Sequence, residues 1–127
     1  MKLKGNSIFP GIVKAEVIIS DLPISFLGDI DPNTGKIIDK NNPLEGESIV
    51  DKVFVFPCGR GSTVGSYILY QLSKNKKAPA AIVNEKAEAI VAVGAIISEI
   101  PMLDGISIDK IPQKEIRVNA NEGFIEF

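Results

Sequence analysis

A chain of 127 residues with 45% hydrophobic and 24% charged side chains is about one domain long and can bury a core of its own without staples. A net charge of −2 offers no field for a nucleic-acid backbone, and the longest apolar run, Ala89 to Ile97, is far short of the ~20 residues that cross a bilayer. The absence of histidine and the single cysteine, Cys58, exclude Ser-His and Cys-His pairs, an internal disulfide, and any zinc or iron–sulfur site built from several thiolates of this chain. No apolar segment follows Met1-Lys2-Leu3-Lys4, so a cytoplasmic location is expected.

In chain order, Ile12 to Ser20 sets β-branched residues against Lys14 and Glu16, the period-two pattern of a half-buried strand. Leu27 to Gly46 reads as a long loop, with Lys36-Ile37-Ile38 as a short strand inside it. A strand from about Val50 to Phe56 runs through Pro57 into the glycine-rich turn Cys58-Gly59-Arg60-Gly61-Ser62-Thr63. Val64, Ile68 and Leu72 recur at helical spacing, with Ser73 to Lys77 as the charged exit. Ala80 to Val83 is a short apolar strand, Glu85 to Glu99 a second helix whose first turn carries Glu85 and Glu88, and Ile100 to Leu103 a further strand. Glu115 to Asn119 and Gly123 to Phe127 are late strands that rejoin the N-terminal β elements. The β-α-β-α-β succession predicts an α/β domain with a partly parallel central sheet and covering helices, one unit over residues 1–127.

Gly59 to Gly65 is the segment with the clearest chemical potential, because glycines let backbone amides approach an anion and a helix N-terminus favours negative charge. Its glycine spacing is one residue too long for a dinucleotide fingerprint, it lacks the Gly-Lys-Ser/Thr end of a P-loop, and Arg60 and Val64 stand where a nucleophile elbow needs glycines. On pattern alone, Ser62 or Thr63 is a helix cap, Arg60 a solvated side chain and Cys58 a small buried hydrophobe. Asp29, Asp31 and Asp39 read as turn formers rather than metal ligands.

The order of motifs adds to this reading. Residues 57–105, PCGRGSTVGSYILYQLSKNKKAPAAIVNEKAEAIVAVGAIISEIPMLDG, together with the upstream ISFLGDIDPNTGKIID of residues 24–39, resemble the swivel domain of the aconitase X family in its separate small-subunit form. The resemblance implies a swivelling β/β/α fold docked as a heterodimer on a large subunit. That subunit carries most of the catalytic apparatus and an iron–sulfur cluster, so no cofactor or metal is expected on this chain. It implies a hydro-lyase that dehydrates (R)-mevalonate 5-phosphate, a small phosphorylated hydroxy acid, to trans-anhydromevalonate 5-phosphate in the archaeal mevalonate pathway of isoprenoid biosynthesis. Other members of the family dehydrate hydroxyproline, and a non-catalytic anion-binding module is the rival from a different class. By the same resemblance Ser62 is the proton acceptor, and its neighbours in the turn, Arg60, Gly61 and Thr63, are expected to bind substrate. The chain departs from its relatives at Asn42-Pro43, where His often precedes the proline, and at Leu27-Gly28-Asp29, where several carry Trp-Gly-Gly.

Overall fold

The computed structural model describes residues 1–127. Its strands are β1 (Lys2–Lys4), β2 (Asn6–Phe9), β3 (Ile12–Ile19), β4 (Val53–Phe56), β5 (Ala81–Asn84), β6 (Met102–Asp104), β7 (Glu115–Asn119) and β8 (Phe124–Glu126). Its helices are a distorted single turn α1 (Phe26–Asp29), α2 (Gly65–Lys74) and α3 (Ala89–Ile97), with a 3₁₀ turn at Ile108–Lys110.

The strands form one sheet in the order β1-β8-β7-β3-β4-β5-β6-β2. The β3-β4-β5-β6 stretch is parallel and the remaining pairs are antiparallel. This is the expected α/β architecture, with α2 and α3 as the crossovers between parallel strands. The two outermost strands are neighbours in sequence, separated only by Gly5, so one segment pairs with β8 on one side and with β6 on the other. That segment joins the two ends of the sheet through Gly5, with β1 and β2 each paired on one side.

Strand alternation then sorts the core into two layers. Val53 and Val55, Ala81 and Val83, Leu103, Ile116 and Val118 fill the closed side of the sheet, where Ile108 and Ile111 join them. Phe54, Phe56, Ile82 and Met102 point the other way, against Phe26, Leu69, Leu72, Val91 and Ala95 from the helices. Phe26 meets Phe54 and Phe56 edge-on, each at 6.1 Å between ring centroids, a favoured aromatic geometry. This contact fixes the α1 turn over the C-terminal half of β4.

Several boundaries differ from the expectation for local reasons. Residues 50–52 turn rather than pair, with Asp51 at φ 59°, so β4 starts at Val53. Lys36 and Ile37 make only isolated bridges, to Ser48 and Ile30, and the 36–38 strand does not extend. The second helix starts at Ala89, not Glu85, because the amides of Glu85 and Lys86 both donate to Pro57 O, at 3.0 and 3.1 Å. Glu88 supplies the expected N-terminal carboxylate by accepting from Ile90 and Val91 N–H, whereas Glu85 accepts from Ile108 N–H at 3.1 Å. The sequence pattern predicts neither β1 nor β2.

The closure makes Gly5 intolerant of a side chain. A Cβ there would overlap the carbonyl oxygen of Asp104 and lie 2.8 Å from Ile106 Cγ1. Gly5→Ala is therefore expected to lower stability by about 1–3 kcal/mol, with the loss read in a denaturant titration. A midpoint equal to the parent's would show that the closing segment yields without cost.

Candidate functional site

The parallel strands β3, β4 and β5 end on the same side of the sheet, and the segments leaving them converge there, as binding segments of open α/β sheets commonly do. After β4, Pro57 accepts the amides of Glu85 and Lys86 that follow β5, and Asn84 Nδ2 donates to Phe56 O at 3.0 Å. The segment after β3 comes alongside: Ile24 bridges Gly59, Ile24 N–H donates to Cys58 O at 3.2 Å, and Arg60 N–H donates to Ile24 O at 2.9 Å. The backbone of the glycine-rich turn is thereby pinned on both sides up to residue 60.

Beyond that point Gly61 takes φ +87°, a left-handed conformation that an L side chain adopts only under strain. This kink delivers Ser62 to the N-terminal end of α2. Ser62 Oγ accepts from Val64 N–H at 3.1 Å and Ser62 O accepts from Gly65 N–H at 3.0 Å. Neither Ser62 nor Thr63 is the helix cap residue: that position is Val64, with no side-chain cap bond. The hydroxyl therefore closes a local serine turn in front of a ten-residue helix, where the helix dipole and a directed N–H favour negative charge on the oxygen. Thr63 is exposed. Cys58 is half-buried rather than fully buried.

Asp29 differs from the turn former that its surroundings suggest. Its carboxylate is buried and accepts Arg60 Nη2 at 2.8 and 3.1 Å and Ser25 N–H at 2.8 Å. The hydrogen bond and charge of Asp29, with a smaller contribution from Asp39, raise the pKa of Arg60 and keep it cationic. Asp31 and Asp39 do form turns, accepting the amides of Asn33 and Asn41. A cavity of about 260 Å³ lies beside the turn, lined by Leu22, Pro23, Asp39, Asn41 and Arg60. A second, of about 350 Å³, shares Leu22 and Asn41 with it and extends to Ser20 and Asn42. Asn42 is buried, with its Nδ2 donating to Ser20 Oγ at 3.0 Å and its Oδ1 accepting Leu44 N–H at 2.9 Å. Arg60, Gly61, Ser62 and Thr63 thus lie together by chain continuity. The sequence singles out Asp29 and Asn42 but not their partners: both lie in loop stretches rich in Pro, Asn and Gly, and nothing local points to Arg60 or Ser20.

No three His, Cys, Asp or Glu side chains converge anywhere in the chain, and no helix is long and apolar enough to cross a membrane.

With the closed mixed sheet and this serine turn, the chain belongs to the aconitase X swivel domain family, whose profile matches residues 2–127. The relatives are specific. The chain is 54% identical over 127 residues to the phosphomevalonate dehydratase small subunit of Pyrococcus abyssi, covering 99% of this chain and 98% of that one. It is 52% identical to the protein of the same name from Methanosarcina mazei, covering 99% and 90%. Among solved structures, the crystal structure of Thermococcus kodakaraensis aconitase X in its holo-form superposes with a TM-score of 0.97 at 51% identity, covering 99% of this chain and 97% of that chain.

Proposed function

We propose that this chain is the small subunit of a hydro-lyase that dehydrates (R)-mevalonate 5-phosphate to trans-anhydromevalonate 5-phosphate, and that it supplies Ser62 to an active site shared with a large subunit. The observation that carries the reading is the Ser62 hydroxyl, held at the start of α2 with Val64 N–H directed at its oxygen. It is supported by relatives that share about half of the sequence over 90% or more of their length and bear the small-subunit name. In the reaction a proton leaves the carbon beside the substrate carboxylate, the hydroxyl leaves the next carbon, and a double bond forms between them. Ser62 Oγ, as the alkoxide, takes the proton and becomes the hydroxyl, and the proton then joins the departing hydroxide as water, which restores the alkoxide. The Val64 amide and the α2 dipole stabilise the charged oxygen before transfer, and Arg60, Gly61 and Thr63 contact the substrate.

An iron–sulfur cluster does not fit the donors of this chain, which has one half-buried thiol and no histidine. It is assigned to the large subunit, and no step performed by this chain runs through it. The deciding experiment is co-purification of the chain with an aconitase X-type large subunit, followed by assays on mevalonate 5-phosphate and on hydroxyproline. Turnover of the first alone is expected. Turnover of hydroxyproline alone would move the chain to another branch of the family. Binding of phosphate ligands by a complex inert toward both would favour an anion-binding module.

The shared site also predicts the interface. Exposed Leu22, Leu27, Ile38, Val64 and Tyr67 lie on or beside the glycine-rich turn and the 27–46 loop, an apolar surface suited to cover by a partner. Amide hydrogen exchange in both segments is expected to slow when the large subunit binds. Unchanged exchange in both would place the interface elsewhere.

A further inference from the structure

Arg60 is held by one nitrogen only. Nη2 contacts both oxygens of Asp29, while Nε and Nη1 donate to no atom of this chain. The two partners differ in environment, the Asp29 side chain being 8% exposed and that of Arg60 55%. Asp29 itself does not depend on Arg60 for its place. Its Oδ2 accepts Ser25 N–H, its own N–H donates to Ser25 O at 3.1 Å, and its O accepts Ile38 N–H at 2.8 Å. The carboxylate is thus a fixed post and the guanidinium a group tethered to it, and Arg60 lines a cavity together with Asp39 and Asn41.

The charges around this cavity decide what such a tether can do. Arg60, Asp29 and Asp39 together carry a net negative charge, so the local field does not by itself draw in an anion. Recognition of a carboxylate or phosphate here rests on directed N–H donors, which act only if the guanidinium is held in orientation. The backbone of the turn is independent of this pair, because Arg60 N–H and Cys58 O are already bonded to Ile24. Removing the carboxylate should therefore free the Arg60 side chain without displacing Ser62.

We propose that Asp29 is a positioning residue that orients Arg60 so that its free donors bind the anionic group of the substrate. This rests on the hydro-lyase reading for the identity of the substrate, not for the tether itself. The test compares Asp29→Asn and Asp29→Glu with the parent in the assembled two-subunit enzyme and in the labelled chain. For Asp29→Asn, KM is expected to rise about tenfold with kcat within about threefold of the parent, and Asp29→Glu should recover part of the loss. A purely structural role would lower the melting temperature and leave KM alone. The chain has two arginines, Arg60 and Arg117, so its arginine side-chain NMR spectrum separates them. Slowed guanidinium rotation at Arg60 should be present in the parent and absent in Asp29→Asn. A KM within twofold of the parent, or an unchanged Arg60 spectrum, overturns the proposal. If the parent complex does not turn over mevalonate 5-phosphate, the hydro-lyase reading falls and the Arg60 spectrum alone decides whether Asp29 holds the guanidinium.

Discussion

Ser62→Ala is expected to cut dehydration by the assembled enzyme by roughly 10²–10⁴-fold, the usual contribution of a general base, while the fold and the complex survive. The reaction sets the demand: a carbon acid beside a carboxylate is reluctant to ionise, and an ordinary serine hydroxyl is too weak a base to take its proton. The site must hold the oxygen in a form closer to alkoxide, and Val64 N–H at 3.1 Å with the α2 N-terminus behind it is electrostatics of that kind. The competing role is local structure. If the hydroxyl serves only the serine turn, its loss costs about 0.5–2 kcal/mol of stability, as for a lost helix cap, and leaves turnover intact. Steady-state rates on the assembled variant, beside its melting curve, separate the two. Turnover within a few-fold of the parent would remove Ser62 from the chemistry.

The isolated chain is expected to show no dehydration of mevalonate 5-phosphate, with activity appearing on addition of the large subunit. Elimination needs a group to assist the leaving hydroxyl as well as a base, and the carboxylates around the turn are already engaged. Asp29 holds Arg60, Asp39 accepts from Asn41 N–H, Glu88 accepts from Ile90 and Val91 N–H, Glu85 accepts from Ile108 N–H, and Asp104 accepts from Asn6 and from Ala87 N–H. No histidine is present to take their place. Turnover by the purified chain, surviving a further purification step, would show that the site is complete without a partner.

The elements that sequence reading recovered are those whose pattern is local. The alternation through Lys14 and Glu16 marks β3, and the buried run Val53–Phe56 marks a strand covered on both faces, though not which residues face which layer. Of the Val64, Ile68 and Leu72 stripe that marks α2, Leu72 is buried, Ile68 packs at the edge of the core and Val64 is exposed, while the neighbouring Leu69 takes the second buried position. The segments missed depend on distant partners. Lys-Leu-Lys and Asn-Ser-Ile-Phe are too short and too polar to announce strands, and they pair only because β8 and β6 are brought to them. In the site, the glycine-rich turn stands out because its unusual residues are consecutive. Asp29 does not, because the guanidinium that gives it meaning is 31 residues away and its surroundings resemble any turn.

Closure of the sheet by one N-terminal segment also dictates when the protein can finish folding. Lys2 sits opposite Glu126 and Asn6 opposite Asp104, so residues 2–9 can pair only after residues 102–126, about a hundred positions later in the chain, are in place. The parallel β3-β4-β5 unit with α2 between β4 and β5 needs only nearer contacts and can form earlier, but as an open sheet with bare edges. Loop-closure entropy makes the final pairing slow relative to local structure, and the intermediate exposes strand edges to other chains in the same condition. Kinetic refolding should therefore resolve a late phase that buries β1 and β2, and aggregation should compete with that phase more than with any earlier one.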